Sequence, residues 1–176
     1  MKSGFIGLGN VGSKLAGSWL RQGFDLIVRD LDGVSAQSFV ERGALWADSP
    51  REVAEQVDMI ITCLPNPSDS AFVMEADDGV LEGLRKGAIW AEMSTTDELE
   101  VRRLGDKVIE RGAEPIDCPV SGGCHRAETG SISIFVGRER TAFERAFPAL
   151  RAMGRAIFHT GSSEERRGGK ECRYRW

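Results

Sequence analysis

Histidine is scarce in this chain, with two among 176 residues, and the four cysteines stand apart from one another. Cys63, Cys118, Cys124 and Cys172 form no Cys-x-x-Cys pair and no metal-like pairing with histidine. That argues against a zinc site, or any bound metal, and for the free thiols of a reducing compartment. Long apolar runs are missing too. The stretch around Met59–Thr62 falls far short of the ~20 residues that span a bilayer. No charged-then-apolar leader precedes Phe5. The expectation is a cytoplasmic protein without membrane association. There is no excess of positive charge either: Lys and Arg number 23 against 27 Asp and Glu, a net charge of −4. The last 15 residues contribute +2, so the preceding 161 carry −6. That balance excludes a nucleic-acid surface held by phosphate contacts.

Apolar residues make up 41% of the chain, enough for a core, and glycines number 21. The length predicts one domain with at most a short extension. Strand and helix patterns alternate. Gly4–Ile6 reads as a short buried strand. Val11, Leu15, Ala16, Trp19 and Leu20 share one helical face after it. Phe24, Leu26 and Val28 alternate as a strand ending at Arg29-Asp30, and Val34–Arg42 forms the next helix. Ser49-Pro50-Arg51-Glu52 carries an N-cap, a Pro at the first helical position and a capping-box Glu. Asp58–Leu64 is a continuously apolar strand, the pattern of a strand covered on both faces. Ala88–Ala91 follows as a strand. Thr95-Thr96-Asp97-Glu98 predicts a second capping box, opening a helix through Arg111. Strands are expected at Glu114–Asp117, at an edge position over Ser131–Val136, and at Ala156–Phe158. A helix is expected over Thr141–Met153. This alternation predicts an α/β fold of Rossmann type, a doubly wound and mostly parallel sheet.

Chemistry concentrates where strands end. "GLGNVG" places Gly7, Gly9 and Gly12 between a strand and an amphipathic helix. The first glycine permits a tight turn, the second lets backbone approach a pyrophosphate, and the third lets helix and strand pack closely. The helix N-terminus then offers free N–H groups to phosphate. Asp30 stands 18 residues beyond Gly12 at the next strand end, where a carboxylate can bond both ribose hydroxyls of NAD and repel the 2′-phosphate of NADP. Arg29 beside it favours the opposite face. "CLPNP" (63–67), "EMSTT" (92–96) and "DCPVSGG" (117–123) end further strands and bring small polar residues to the same edge. Ser121-Gly122-Gly123 can present a hydroxyl and N–H groups to a carboxylate or oxyanion.

The segments "GFIGLGNVG", "VDMIITCLPNP", "MSTT", "DCPVSGG", "TGSISIFVG" and "MGRAIFHTG" resemble, in order and spacing, the β-hydroxyacid dehydrogenase family. That family includes 3-hydroxyisobutyrate dehydrogenases and tartronate semialdehyde reductases. The resemblance covers about residues 3–161. It implies a Rossmann-type domain that binds NAD, or alternatively NADP, followed by an all-helical C-terminal domain that is absent here. It implies hydride transfer between the cofactor and short 3-hydroxy acids or the matching semialdehydes. By motif, Gly7, Leu8, Gly9, Asn10, Val11, Gly12 and Asp30 would hold the adenosine and pyrophosphate end. Leu64, Pro65 and Thr95 would lie near the ribose and nicotinamide. Ser121, Gly122 and Gly123 would bind the substrate carboxylate. The parent protein would be a homo-oligomer through its helical domain. Glu92 departs from the usual Asp, and its longer arm is expected to disturb that strand end slightly.

The family's general acid/base is a Lys following a Gly-rich turn, and Lys170 lies nine residues after Gly161 as that pattern asks. The surrounding pattern is not kept: Glu164 and Arg166 stand where glycines belong, and Arg173 or Tyr174 where an Asn belongs. The charged, non-periodic segment 162–176 reads as the in-frame translation of a sequencing adapter. The expectation is therefore a dinucleotide-binding domain over 1–161 that lacks its catalytic lysine. A non-catalytic NAD(P)-binding module, an imine reductase-like relative and a different Rossmann ligand such as S-adenosylmethionine stay open as alternatives.

Overall fold

A computed structural model of the chain describes residues 1–161 and the strand backbone at 174–175. Lys170 and the rest of the segment after Gly161 lie outside the described residues.

Six parallel strands form the main sheet. They are β1 (Ser3–Ile6), β2 (Leu26–Arg29), β3 (Leu45–Trp46), β4 (Met59–Thr62), β5 (Ile89–Glu92) and β6 (Glu114–Asp117), in the spatial order β3-β2-β1-β4-β5-β6. The strand order reverses between β1 and β4, the place where open α/β sheets bind ligands. Between the strands run α1 (Gly12–Arg21), α2 (Gly33–Val40), α3 (Pro50–Gln56), α4 (Pro67–Glu75), α5 (Val80–Gly83) and α6 (Glu98–Glu110). Side-chain alternation divides the core. Phe5, Val28, Ile61 and Ala91 pack on one face with Leu15 and Trp19 of α1. Ile6, Ile27, Ile60 and Trp90 pack on the other with Val53 of α3 and Leu104 of α6. Both faces are therefore dry, which is why β4 is apolar at every position but its last.

The strands expected at Ser131–Val136 and Ala156–Phe158 do not extend this sheet. They form a second one with β7 (Val120–Ser121), β8 (Ile132–Val136), β9 (Gly154–His159) and β10 (Tyr174–Arg175), in the order β10-β9-β8-β7. β8 is not an edge strand. It pairs in parallel with β9 and antiparallel with β7. Its alternating burial arises because one face meets the core and the other does not. α7 (Gly123–Glu128) and α8 (Arg140–Met153) complete the fold and lie against α1.

Local capping follows the sequence at α3, where Ser49 Oγ accepts from Glu52 N at 3.1 Å and Pro50 opens the helix. It departs at α6. Asp97, not Thr95, caps that helix by accepting from Glu100 N at 3.1 Å. Thr95, Thr96 and Asp97 are all capping-competent, and the last of them is used, so the helix begins at Glu98. Residue Glu92 does not disturb its strand: β5 keeps register with both β4 and β6 through that position.

Candidate functional site

A crevice of about 1030 Å³ opens at the carboxyl ends of β1, β2, β4 and β5, over the reversal in strand order. Its floor is the glycine turn. Gly7 has a φ of +97°, and a β-carbon there would lie 2.4 Å from the Cys63 carbonyl oxygen, so only glycine fits. A β-carbon on Gly12 would lie 2.0 Å from the Gly7 carbonyl oxygen. Gly9 is the opposite case: nothing stands within 4 Å of its absent side chain. It is exposed and lines the crevice. Two glycines thus close backbone against backbone, and the middle one leaves room for a ligand.

α1 starts at this turn. Its N-cap, Val11, has no side chain that bonds the first-turn amides. Within that first turn Ser13 N donates to Gly9 O at 2.9 Å and Lys14 N to Val11 O at 3.0 Å, and the positive end of the helix dipole lies at the crevice, where Gly9, Asn10, Val11 and Gly12 line it. A pyrophosphate fits this cradle in charge and in space.

Asp30 directly follows β2 at the crevice rim. Its Oδ2 accepts from Leu8 N, and its Oδ1 from Asp32 N at 2.9 Å. The carboxylate ties the glycine turn to β2 and keeps lone pairs for further donors. Arg29 packs its guanidinium over the Trp46 ring, 5.0 Å from the centroid, and also borders the crevice.

Leu64, Pro65 and Thr95 line the crevice on the β4 and β5 side, beside Cys63 and Met93. Burial, and after it the neighbouring Glu92, pushes the Cys63 thiol up to about 12, so it stays protonated. Asn10, Val11 and Gly123 line the crevice as well. Leu8 does not: its side chain is buried in the core, and only its backbone N–H serves the site. Ser121 and Gly122 are exposed and stand outside the lining, with Ser121 paired to Ser133 across β7 and β8.

Sequence reasoning missed one wall. Phe72, Val73 and Ala76, from α4 and its C-cap, line the crevice, as does Leu31. Phe72 and Leu31 are 66% and 89% exposed, so both bring apolar surface to the crevice. The signal was present: Asn66 caps α4, Pro67 is at its start and Asp69 sits in its first turn. No lysine lines the crevice among the described residues.

Residues 2–161 match the family model described as the NAD binding domain of 6-phosphogluconate dehydrogenase. The chain belongs to this family of NAD-binding domains. The NAD-binding domain is 35% identical over 169 residues to mitochondrial 3-hydroxyisobutyrate dehydrogenase of Rattus norvegicus, covering 96% of this chain and 50% of that protein. It superposes on Psf3 in complex with NADP+ and 2-OPP with a TM-score of 0.85 at 26% identity, over 93% of this chain and 57% of the other. An imine reductase from Myxococcus stipitatus, solved with NAD+, shares the fold at a TM-score of 0.85 and 20% identity, over 96% and 56% of the two chains. The chain spans about half the length of the curated relatives it matches. No helix among the described residues is long and apolar enough to cross a membrane.

Proposed function

We propose that this chain is the dinucleotide-binding half of an NAD(P)-dependent oxidoreductase of short 3-hydroxy acids or the matching semialdehydes. The observation that carries the reading is the crevice over the strand reversal, floored by Gly7, Gly9 and Gly12 and rimmed by Asp30. When bound, the nicotinamide cofactor supplies the hydride chemistry. Gly9 and the first turn of α1 hold the pyrophosphate. Asp30 takes the adenosine ribose and favours NAD over NADP. Leu64, Pro65 and Thr95 stand along the nicotinamide half, while Ser121, Gly122 and Gly123 are assigned to the substrate carboxylate.

Proton transfer to the substrate oxygen needs a group with a suitable pKa in reach. The described crevice offers no lysine, and its thiol is held protonated. On this reading the chain binds cofactor without turnover, and the acid/base and oligomer contacts belong to a helical domain of the parent. NADH titration by fluorescence, followed by an assay with 3-hydroxyisobutyrate and NAD, tests both halves of the reading. The expected result is binding without turnover. Absence of binding to NADH and NADPH alike would remove the dinucleotide reading, and turnover would place the acid/base within the 176 residues.

A further inference from the structure

Beneath the crevice lies a carboxyl group that the cofactor contacts leave unused. Glu92, the last residue of β5, is fully buried. Its hydrogen-bond partners are hydroxyls and one backbone N–H rather than a cation. Oε1 accepts from Ser94 N at 2.8 Å. Oε2 accepts from Thr62 Oγ1 at 3.0 Å and from Ser70 Oγ at 3.3 Å. The Thr62 hydroxyl in turn accepts from Trp90 Nε1 at 2.9 Å, and Ser94 Oγ accepts from Leu64 N at 2.8 Å.

We propose that Glu92 is a positioning residue for the nicotinamide half of the bound dinucleotide, acting through Ser94 and Leu64. The inference rests on the function proposed above. One carboxyl joins four parts of the fold: Thr62 at the end of β4, Ser70 on α4, its own strand β5, and the loop after β5 through Ser94. Ser94 then passes the connection to Leu64 in the loop after β4. Those two loops supply Leu64, Pro65 and Thr95 to one wall of the crevice. The glycine turn is held by other bonds, from Gly7 N to Arg29 O and from Leu8 N to Asp30. The cradle for the adenosine half and the wall for the nicotinamide half are therefore held by different side-chain hydrogen bonds.

Truncating Glu92 would leave the Thr62 and Ser70 hydroxyls and the Ser94 N–H without their acceptor in a dry site, where unmade bonds are costly and networks fail together. Burial pushes the Glu92 carboxyl above the usual carboxylate range, against the bonds from Ser94, Thr62 and Ser70 that lower it. The titratable neighbour is the Cys63 thiol, which Glu92 helps to raise. An isosteric amide keeps one acceptor for Ser94 N and replaces the carboxyl without a cavity.

The test compares Glu92→Ala, Glu92→Gln and wild type in the 176-residue chain. NADH and NADPH are titrated by fluorescence, and ADP-ribose, which lacks the nicotinamide, by calorimetry. Expected for Glu92→Ala is a Kd raised about 10-fold for the tighter-binding reduced cofactor, with ADP-ribose within about 2-fold of wild type. Glu92→Gln is expected to stay within about 3-fold for both. Ser94→Ala removes the hydroxyl that accepts from Leu64 N and bonds the Glu92 carboxyl, and carries the same split should Glu92→Ala fail to fold. Equal losses for reduced cofactor and ADP-ribose, or no loss for either, would overturn the positioning role while wild-type binding leaves the proposed function standing. Wild type that binds none of the three probes would overturn the function and the positioning role together.

Discussion

A β-carbon on Gly12 would lie 2.0 Å from the carbonyl oxygen of Gly7, so the first turn of α1 rests directly on the end of β1. Gly12→Ala is expected to destabilise the fold by about 1–3 kcal/mol, as overpacking does, and to abolish NADH binding. Gly9→Ala should behave differently, because nothing in the protein stands within 4 Å of the added methyl. Its stability is expected to stay within about 0.5 kcal/mol of wild type while NADH affinity falls at least about 10-fold. Urea denaturation paired with fluorescence titration separates the two. A Gly9→Ala protein that binds NADH like wild type would sink the pyrophosphate assignment.

Asp30, which we assign to the ribose hydroxyls of an NAD-type cofactor, already holds the N–H groups of Leu8 and Asp32. Removing its charge lifts the repulsion of a 2′-phosphate. Asp30→Ala is expected to lower the NADH-to-NADPH affinity ratio by about 10-fold or more. Arg29 at the same rim supplies positive charge once the carboxylate is gone. An unchanged ratio would show that selectivity lies elsewhere.

Glu75 at the end of α4 takes both terminal nitrogens of Arg103 on α6, at 2.7 and 2.5 Å, and also the ammonium of Lys107. Arg103, and after it Lys107, hold its carboxyl down at about 2, against an ordinary 4.5. A carboxylate with a depressed folded-state pKa stabilises the fold above its unfolded value and loses that contribution as pH falls. Wild type should therefore lose stability between about pH 4.5 and 2. Glu75→Gln should show a shallower slope there and a stability at pH 7 lower by roughly 1 kcal/mol, discounted for exposure. Identical acid limbs in the two proteins would contradict the assignment.

The buried carboxyl of Glu92 gives the opposite sign. Its folded-state pKa lies above the ordinary 4.5, so the folded chain keeps a proton that the unfolded chain releases. Its contribution is full below pH 4.5 and declines as pH rises from there toward the folded value. Glu92→Gln cannot titrate and should lack this decline. Denaturation midpoints recorded from pH 4 upward compare the slopes directly. A wild-type slope matched by the variant would show that the Glu92 carboxyl titrates alike in the folded and unfolded chain.

Much of this was legible in the residues. "GLGNVG" between a buried strand and an amphipathic face announces a glycine turn into a helix, because Gly12 answers a local steric need against the Gly7 carbonyl. Ser49-Pro50 likewise announces α3, since capping involves only neighbours in the chain. The α4 wall was legible in Asn66-Pro67 but went unread, because the same residues also suit a turn. Ser131–Val136 shows the limit. Its alternation indicates one buried face, and that pattern is shared by an edge strand and by a central strand covered on one side only. The choice depended on β7 and β9, which lie far from it in sequence or are only two residues long.

The sequence by itself determined the alternation of strands and helices, the glycine cradle and the carboxylate at the end of β2, because these follow from local sterics, hydrophobic period and charge. Tertiary structure alone decided that Glu92 joins Thr62, Ser70 and Ser94, and that Phe72 and Leu31 line one crevice. Those relations span 22 or 30 residues for the hydrogen-bonded pairs that cross elements. They come from which strands are neighbours in the sheet and which helix covers them, and no local preference of any one residue encodes that placement.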